Sequence, residues 1–133
     1  MKISVNGEIV NLPDFLIIGT AKAGTTSLYY YLKNNPGIFF PIIKEPRYFS
    51  YGGAESREII HPVNGMKIEG HVTSLDEYVS LFKNVPDGCL AGEASTQYLY
   101  DYENVYNNML KFYGAETDKV KIIAILRNPV ERA

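Results

Sequence analysis

Phe15-Leu16-Ile17-Ile18-Gly19-Thr20-Ala21-Lys22-Ala23-Gly24-Thr25-Thr26-Ser27-Leu28 changes character twice. Phe15 to Ile18 is a continuous apolar run, the pattern of a strand covered on both faces in a parallel sheet. It stops at Gly19. Beyond a short loop, Leu28, Tyr31 and Leu32 fall at i, i+3 and i+4, which predicts a helix opening at Thr26-Ser27 and ending before Asn35-Pro36-Gly37. The order is strand, glycine loop, helix. Backbone N–H groups and the positive end of a helix make such a loop a cradle for an anion, and phosphate is its natural guest.

Moving outward, Val120 to Leu126 is rich in β-branched residues and reads as a second central strand ending at Arg127-Asn128-Pro129. Cys89 to Gly92 is a candidate short strand. Ser74-Leu75-Asp76-Glu77 is a capping box, followed by Leu75, Tyr78, Val79 and Phe82 on one helical face. Val105 to Phe112 reads as a further helix. Strands alternating with helices imply an α/β fold, a three-layer parallel sheet in which ligands bind outside the carboxyl ends of the strands. Gly19 and Arg127 both fall at such ends. Asn6-Gly7 between two short alternating runs predicts a hairpin at an edge. Ile38 to Gly70 is irregular and proline-rich, and so long a stretch in a compact domain is more often functional than idle.

The 133 residues form one expected domain, 1–133. Apolar residues at 46% and charged residues at 21% exclude an intrinsically disordered chain. Thirteen Lys and Arg balance fifteen Asp and Glu, which argues against a nucleic-acid surface. The single cysteine, Cys89, cannot form an internal disulfide or a cysteine-rich zinc site and is expected in the core; no metal is expected. No apolar run approaches the roughly 20 residues of a membrane span. Met1 to Glu8 has no apolar h-region, so no membrane and a cytoplasmic location are expected. His61 and His71 enter no constellation.

Gly19 and Gly24 fit the spacing of the nucleotide-triphosphate P-loop, G-x-x-x-x-G-K-[ST], but Thr25 stands where its lysine belongs. The lysine is displaced to Lys22, inside the loop and better placed for a group near the first phosphate. That weakens a magnesium-dependent nucleotide kinase, which stays as the alternative beside a non-catalytic nucleotide-binding fragment.

Thr20 to Leu28 resembles the 5'-phosphosulfate loop, P-K-S-G-T-T-x-L, of sulfotransferases that use 3'-phosphoadenosine 5'-phosphosulfate (PAPS). Leu126 to Ala133 resembles the start of that family's 3'-phosphate motif, R-[DN]-P-x-x-R-A-x-S. Lys44-Glu45-Pro46-Arg47-Tyr48-Phe49 is similar to the K-E-x-x-x-F segment of the heparan-sulfate-type and bacterial branch, and Gly92 to Leu99 to its G-E-x-[ST]-P-x-Y-L segment. Ala21 and Ala23 replace the usual proline and serine. The resemblance covers about Phe15 to Ala133 and implies the N-terminal portion of a sulfotransferase domain.

It further implies a reaction, transfer of a sulfuryl group from PAPS to a hydroxyl or amine of a small-molecule or saccharide acceptor, leaving 3'-phosphoadenosine 5'-phosphate (PAP). Lys22 would contact the 5'-phosphate and the bridging oxygen. Ala23, Gly24, Thr25, Thr26 and Ser27 would line the phosphosulfate, and Arg127 would hold the 3'-phosphate. Glu45 would be the general base, with Lys44 orienting the acceptor. Each has a plainer competitor: Glu45 as a carboxylate paired with Lys44 or Arg47, Arg127 paired with Glu131, and Glu93 as a residue that orients loops rather than reacts.

Overall fold

The computed structural model describes residues 1–52, 60, 64–67 and 70–132; the middle of the irregular stretch, with His61, and the terminal Ala133 lie outside the described residues. The Phe15–Gly19 run forms a strand inside a parallel four-stranded sheet. With β1 (Lys2–Val5) and β2 (Glu8–Asn11) as the hairpin, this strand is β3, and the sheet order is β4 (Ile38–Phe39), β5 (Leu90–Ala94), β3, β6 (Lys121–Ala124). Phe15, Leu16 and Ile17 pair with Gly92, Glu93 and Ala94 on one side and with Lys121, Ile122 and Ile123 on the other.

Alternation along β3 builds the layers. Phe15 and Ile17 pack with Ala94, Phe40 and Tyr29, the last from α1 (Thr25–Lys33). Leu16 points the other way, into a larger core with Tyr48 and Phe49 of α2 (Tyr48–Tyr51), Tyr78 of α3 (Leu75–Ser80) and Val105, Met109 and Tyr113 of α4 (Tyr102–Tyr113). The sheet thus lies between helices on both faces. Phe49 is fully buried and stacks edgewise or tilted against Tyr78, Tyr98 and Tyr113, so Phe49→Ala would cost about 3–5 kcal/mol. Gly92 lies under the Phe15 ring. A β-carbon there would fall 2.3 Å from it, so any larger residue would force the Phe15 ring out of its place.

The hairpin forms a separate antiparallel sheet, and Asn6 and Gly7 both take the positive φ, 51° and 84°, that a two-residue turn of this hand requires. Four expectations are corrected. Helix α1 begins at Thr25 and buries Thr25 and Tyr29, with Leu28 and Leu32 half-buried, while Tyr31 is 78% exposed. Three successive tyrosines make two helical faces equally apolar, and the Phe40 ring, 4.6 Å from that of Tyr29, selects one. Second, β6 is the outer strand among the described residues, with Lys121, Ile122 and Ala124 exposed. Its β-branched content reports strand preference and not position in the sheet. Third, the chain is already strand from Leu90 to Ala94, and Cys89, just before it, is half-buried with Sγ 3.4 Å from the Pro36 carbonyl. Fourth, α4 extends further at both ends than Val105 to Phe112. The capping serine is as expected, with Ser74 Oγ accepting from the Glu77 N–H at 3.4 Å.

Candidate functional site

The carboxyl end of β3 is stitched to the segment leaving β6. Thr20 N–H donates to the Ile125 carbonyl and Ile125 N–H to the Gly19 carbonyl, each at 2.8 Å. The glycine loop and the chain leading to Arg127 therefore start side by side. Lys22 is exposed and holds a left-handed φ of 60°, and Gly24, at φ 103°, turns the loop into α1. No side chain caps α1 and no acidic residue sits in its first turn, in contrast to α3 with its Ser74 cap and Asp76-Glu77. A helix start leaves N–H groups without internal partners, and in this first turn Thr26 and Ser27 are exposed. Thr25 is buried and Ala23 half-buried. This donor set fits a phosphosulfate.

Lys44 joins the loop from the other side. Its Nζ donates to Thr26 Oγ1 at 3.2 Å and lies 5.3 Å from the centre of the Tyr29 ring. Glu45 and Arg47 both adopt φ of 56°, a conformation that costs an ordinary residue about 1–2 kcal/mol. Non-glycine residues persist there where surrounding bonds over-determine them. The Glu45 N–H donates to the Ala94 carbonyl at 3.1 Å, and the Arg47 N–H to Ser95 Oγ at 3.1 Å. The Glu45 carboxylate is partnered on both oxygens: Arg47 Nη2 lies 2.6 Å from Oε2, and Thr96 donates its hydroxyl proton to Oε1 at 3.2 Å. The pairing of Glu45 with Arg47, one of its plainer readings, is thus present, yet the carboxylate is half-buried and not on an open surface.

Beneath this loop Glu93 is fully buried. Ser95 donates to its Oε1 at 2.7 Å, and Tyr78 donates to its Oε2. Tyr98 also hydrogen-bonds it while accepting from the Phe49 N–H at 3.1 Å. Burial raises the Glu93 carboxyl above its ordinary range, opposed by the hydrogen bonds from Tyr78, Tyr98 and Ser95. Burial, followed by the neighbouring Glu93, also pushes the Tyr78 and Tyr98 hydroxyls well up. The Glu93 carboxylate thus joins α3 to the segment after β5 through Tyr78, Ser95 and Tyr98. Sequence reading placed Ser95, Thr96 and Tyr98 in the Gly92–Leu99 segment and Tyr78 on a helical face but gave none of them a role; the signal available was a hydroxyl pair directly after a strand in the same segment as Glu93. Arg127 is exposed, its Nε 3.8 Å from Glu131. His71 packs edge-on against Tyr51. Among the described residues no group of three or more His, Cys, Asp or Glu is arranged to hold a metal ion, and no helix is long and apolar enough to cross a membrane.

No family model matches the chain. The crystal structure of a sulfotransferase from Alicyclobacillus acidocaldarius aligns with 92% of this chain and 47% of that one, with a TM-score of 0.72 and 36% sequence identity. Sequence and fold both match sulfotransferases over this stretch. It is 34% identical over 131 residues to the membrane-associated sulfotransferase kil1 of Dictyostelium discoideum, covering 98% of this chain and 24% of that protein. It is 30% identical over 125 residues to the bifunctional heparan sulfate N-deacetylase/N-sulfotransferase 2 of Bos taurus, covering 92% of this chain and 12% of that protein. The chain therefore spans a quarter or less of these two curated relatives and about half of the solved one. The similar proteins are sulfotransferases, which supports the sulfotransferase reading of the glycine loop over the kinase alternative.

Proposed function

We propose that this chain carries the donor-binding loop and the base of an enzyme that transfers a sulfuryl group from PAPS to a hydroxyl or amine. The observation that carries this reading is the meeting at one end of the sheet of four segments: the Thr20–Ser27 loop, Lys44-Glu45, Ala94–Thr96 and the stretch running to Arg127. When bound, PAPS supplies an activated sulfuryl group with the 5'-phosphate of PAP as leaving group. Lys22, Ala23, Gly24, Thr25, Thr26 and Ser27 would surround the phosphosulfate, with Lys22 offsetting the charge that grows on the bridging oxygen. Sulfuryl transfer, like phosphoryl transfer, depends on in-line positioning and fixed electrostatics more than on covalent help from the protein. Arg127 would exchange its long contact with Glu131 for the 3'-phosphate, to which a guanidinium presents two parallel donors.

Glu45 would take the proton from the acceptor as the new O–S or N–S bond forms, since each carboxylate oxygen retains a free lone pair beyond its one partner described above. Lys44 orients the acceptor, and the acceptor class is a small molecule or a saccharide. The cytoplasmic location is likewise a proposal, to be set by fractionation against the membrane-associated relative. The deciding experiment titrates the protein with PAP and, separately, with ATP and magnesium, then follows labelled PAPS in excess EDTA. Binding of PAP and EDTA-resistant transfer are expected. Preference for ATP with magnesium-dependent activity would overturn the reading in favour of a nucleotide kinase.

A further inference from the structure

Glu45 is held by a segment that no motif assigns to chemistry. We infer that Thr96 is a positioning residue for the Glu45 carboxylate, itself fixed from beneath by the buried Glu93–Ser95 pair; this rests on Glu45 being the base. The backbone around Glu45 alternates between left-handed residues, Glu45 and Arg47, on either side of Pro46. Such a loop has no regular ladder of its own. Its shape is imposed by hydrogen bonds to the end of β5: Glu45 N–H to Ala94 O, Arg47 N–H to Ser95 Oγ, and Thr96 Oγ1 to Glu45 Oε1. A further bond, from the Val72 N–H to the Pro46 carbonyl at 2.7 Å, clamps it from the opposite side.

The division of labour follows from the chemistry of the two partners. Arg47 brings a full charge to Oε2 and fixes that side of the carboxylate. Thr96 brings a neutral hydroxyl to Oε1, which fixes the plane of the carboxylate without adding a charge. With one donor on each oxygen the group cannot rotate, and its remaining lone pairs keep one direction toward the acceptor. The hydroxyl of Thr96 is itself aimed because Ser95, the preceding residue, is anchored in the core on Glu93 Oε1 at 2.7 Å.

The test uses the full-length protein with labelled PAPS and a panel of simple alcohols, phenols and amino sugars, the best of which serves for the variants. Thr96→Val keeps the shape and removes the donor. It should lower kcat about tenfold, the worth of one positioning hydrogen bond, with PAP affinity and melting temperature little changed. Thr96→Ser should restore kcat. In the Glu45→Gln background Thr96→Val should cost nothing further, because the group it positions no longer accepts a proton. If the valine variant is unfolded, Thr96→Ala replaces it in the same cycle. Unchanged kcat in Thr96→Val, or a loss that adds in full to that of Glu45→Gln, overturns the positioning role while leaving the sulfotransferase reading intact. Absence of any PAPS-dependent transfer by the unsubstituted protein overturns that reading first and this one with it.

Discussion

Lys44 reaches from the segment after β4 to the first turn of α1, where its ammonium donates to the Thr26 hydroxyl at 3.2 Å. The two residues belong to different motifs, one read as the donor loop and the other as the acceptor side, and the contact makes them one surface. A cation so close to a loop hydroxyl is within reach of any oxygen that the hydroxyl holds. Lys44→Met, which keeps the stem over Tyr29 and removes the charge, should therefore weaken PAP binding about tenfold or more as well as slow transfer. Calorimetry with PAP checks this, and unchanged affinity would confine Lys44 to the acceptor.

Arg127 should confer preference for the 3'-phosphate. A charge-assisted hydrogen bond of this kind is worth about 1.5–3 kcal/mol, so PAP should bind about ten- to a hundredfold more tightly than ADP. Arg127→Gln should bring the two affinities together without destabilising the fold, because the side chain is exposed and its contact with Glu131 is a long surface pair. Equal affinities in the unsubstituted protein would remove Arg127 from the donor site.

Lys22 should show activity bought with backbone strain. At φ 60° and exposed, it holds a conformation that glycine enters freely. Lys22→Gly trades about 1–2 kcal/mol of left-handed strain for about 0.5–1 kcal/mol of chain entropy. The variant should be as stable as the parent or up to about 1.5 kcal/mol more so, with PAPS-dependent transfer lost. Lys22→Ala should lose the same activity with no gain. Urea denaturation of the three proteins separates them.

The fold was legible where composition and topology agree. The uninterrupted run Phe15–Ile18 could be satisfied only by cover on both sides, and Gly19 to Ser27 followed from the change of period at Leu28. What sequence left open was decided by tertiary contact. Tyr29 and Tyr31 are chemically the same residue, and only the placement of Phe40 determines which is buried. Lys22, Lys44, Glu45 and Arg127 could be singled out as candidates because each sits in a motif. The Glu93–Ser95–Arg47 connection was not, since it joins residues 48 positions apart through a hydroxyl and a backbone N–H, and local pattern carries no trace of such a bond.

Glu93 supplies the prediction that separates bracing from catalysis. In the folded chain its carboxyl is raised above the ordinary value of 4.5, burial being the larger cause and the hydrogen bonds from Tyr78, Tyr98 and Ser95 opposing it. A raised value means that folding favours the protonated form. The stability this contributes is fully present below 4.5 and is lost as pH rises from there through the folded-state value. Glu93→Gln has no such proton to bind, and its amide nitrogen cannot accept the bond that one carboxylate oxygen now receives, which costs about 1–3 kcal/mol. The substitution should therefore lower stability most in acid, and the gap between the two proteins should narrow as pH rises above 4.5. Turnover should fall less than with Glu45→Gln, for which a lost base predicts about a 10²- to 10⁴-fold decrease. Paired urea denaturation curves across that range, with turnover measured on the folded variants, check both halves. A gap that widened with pH would mean that the folded core favours the ionised carboxylate. Turnover abolished in a folded Glu93→Gln but retained in Glu45→Gln would move the base to the Gly92–Leu99 segment.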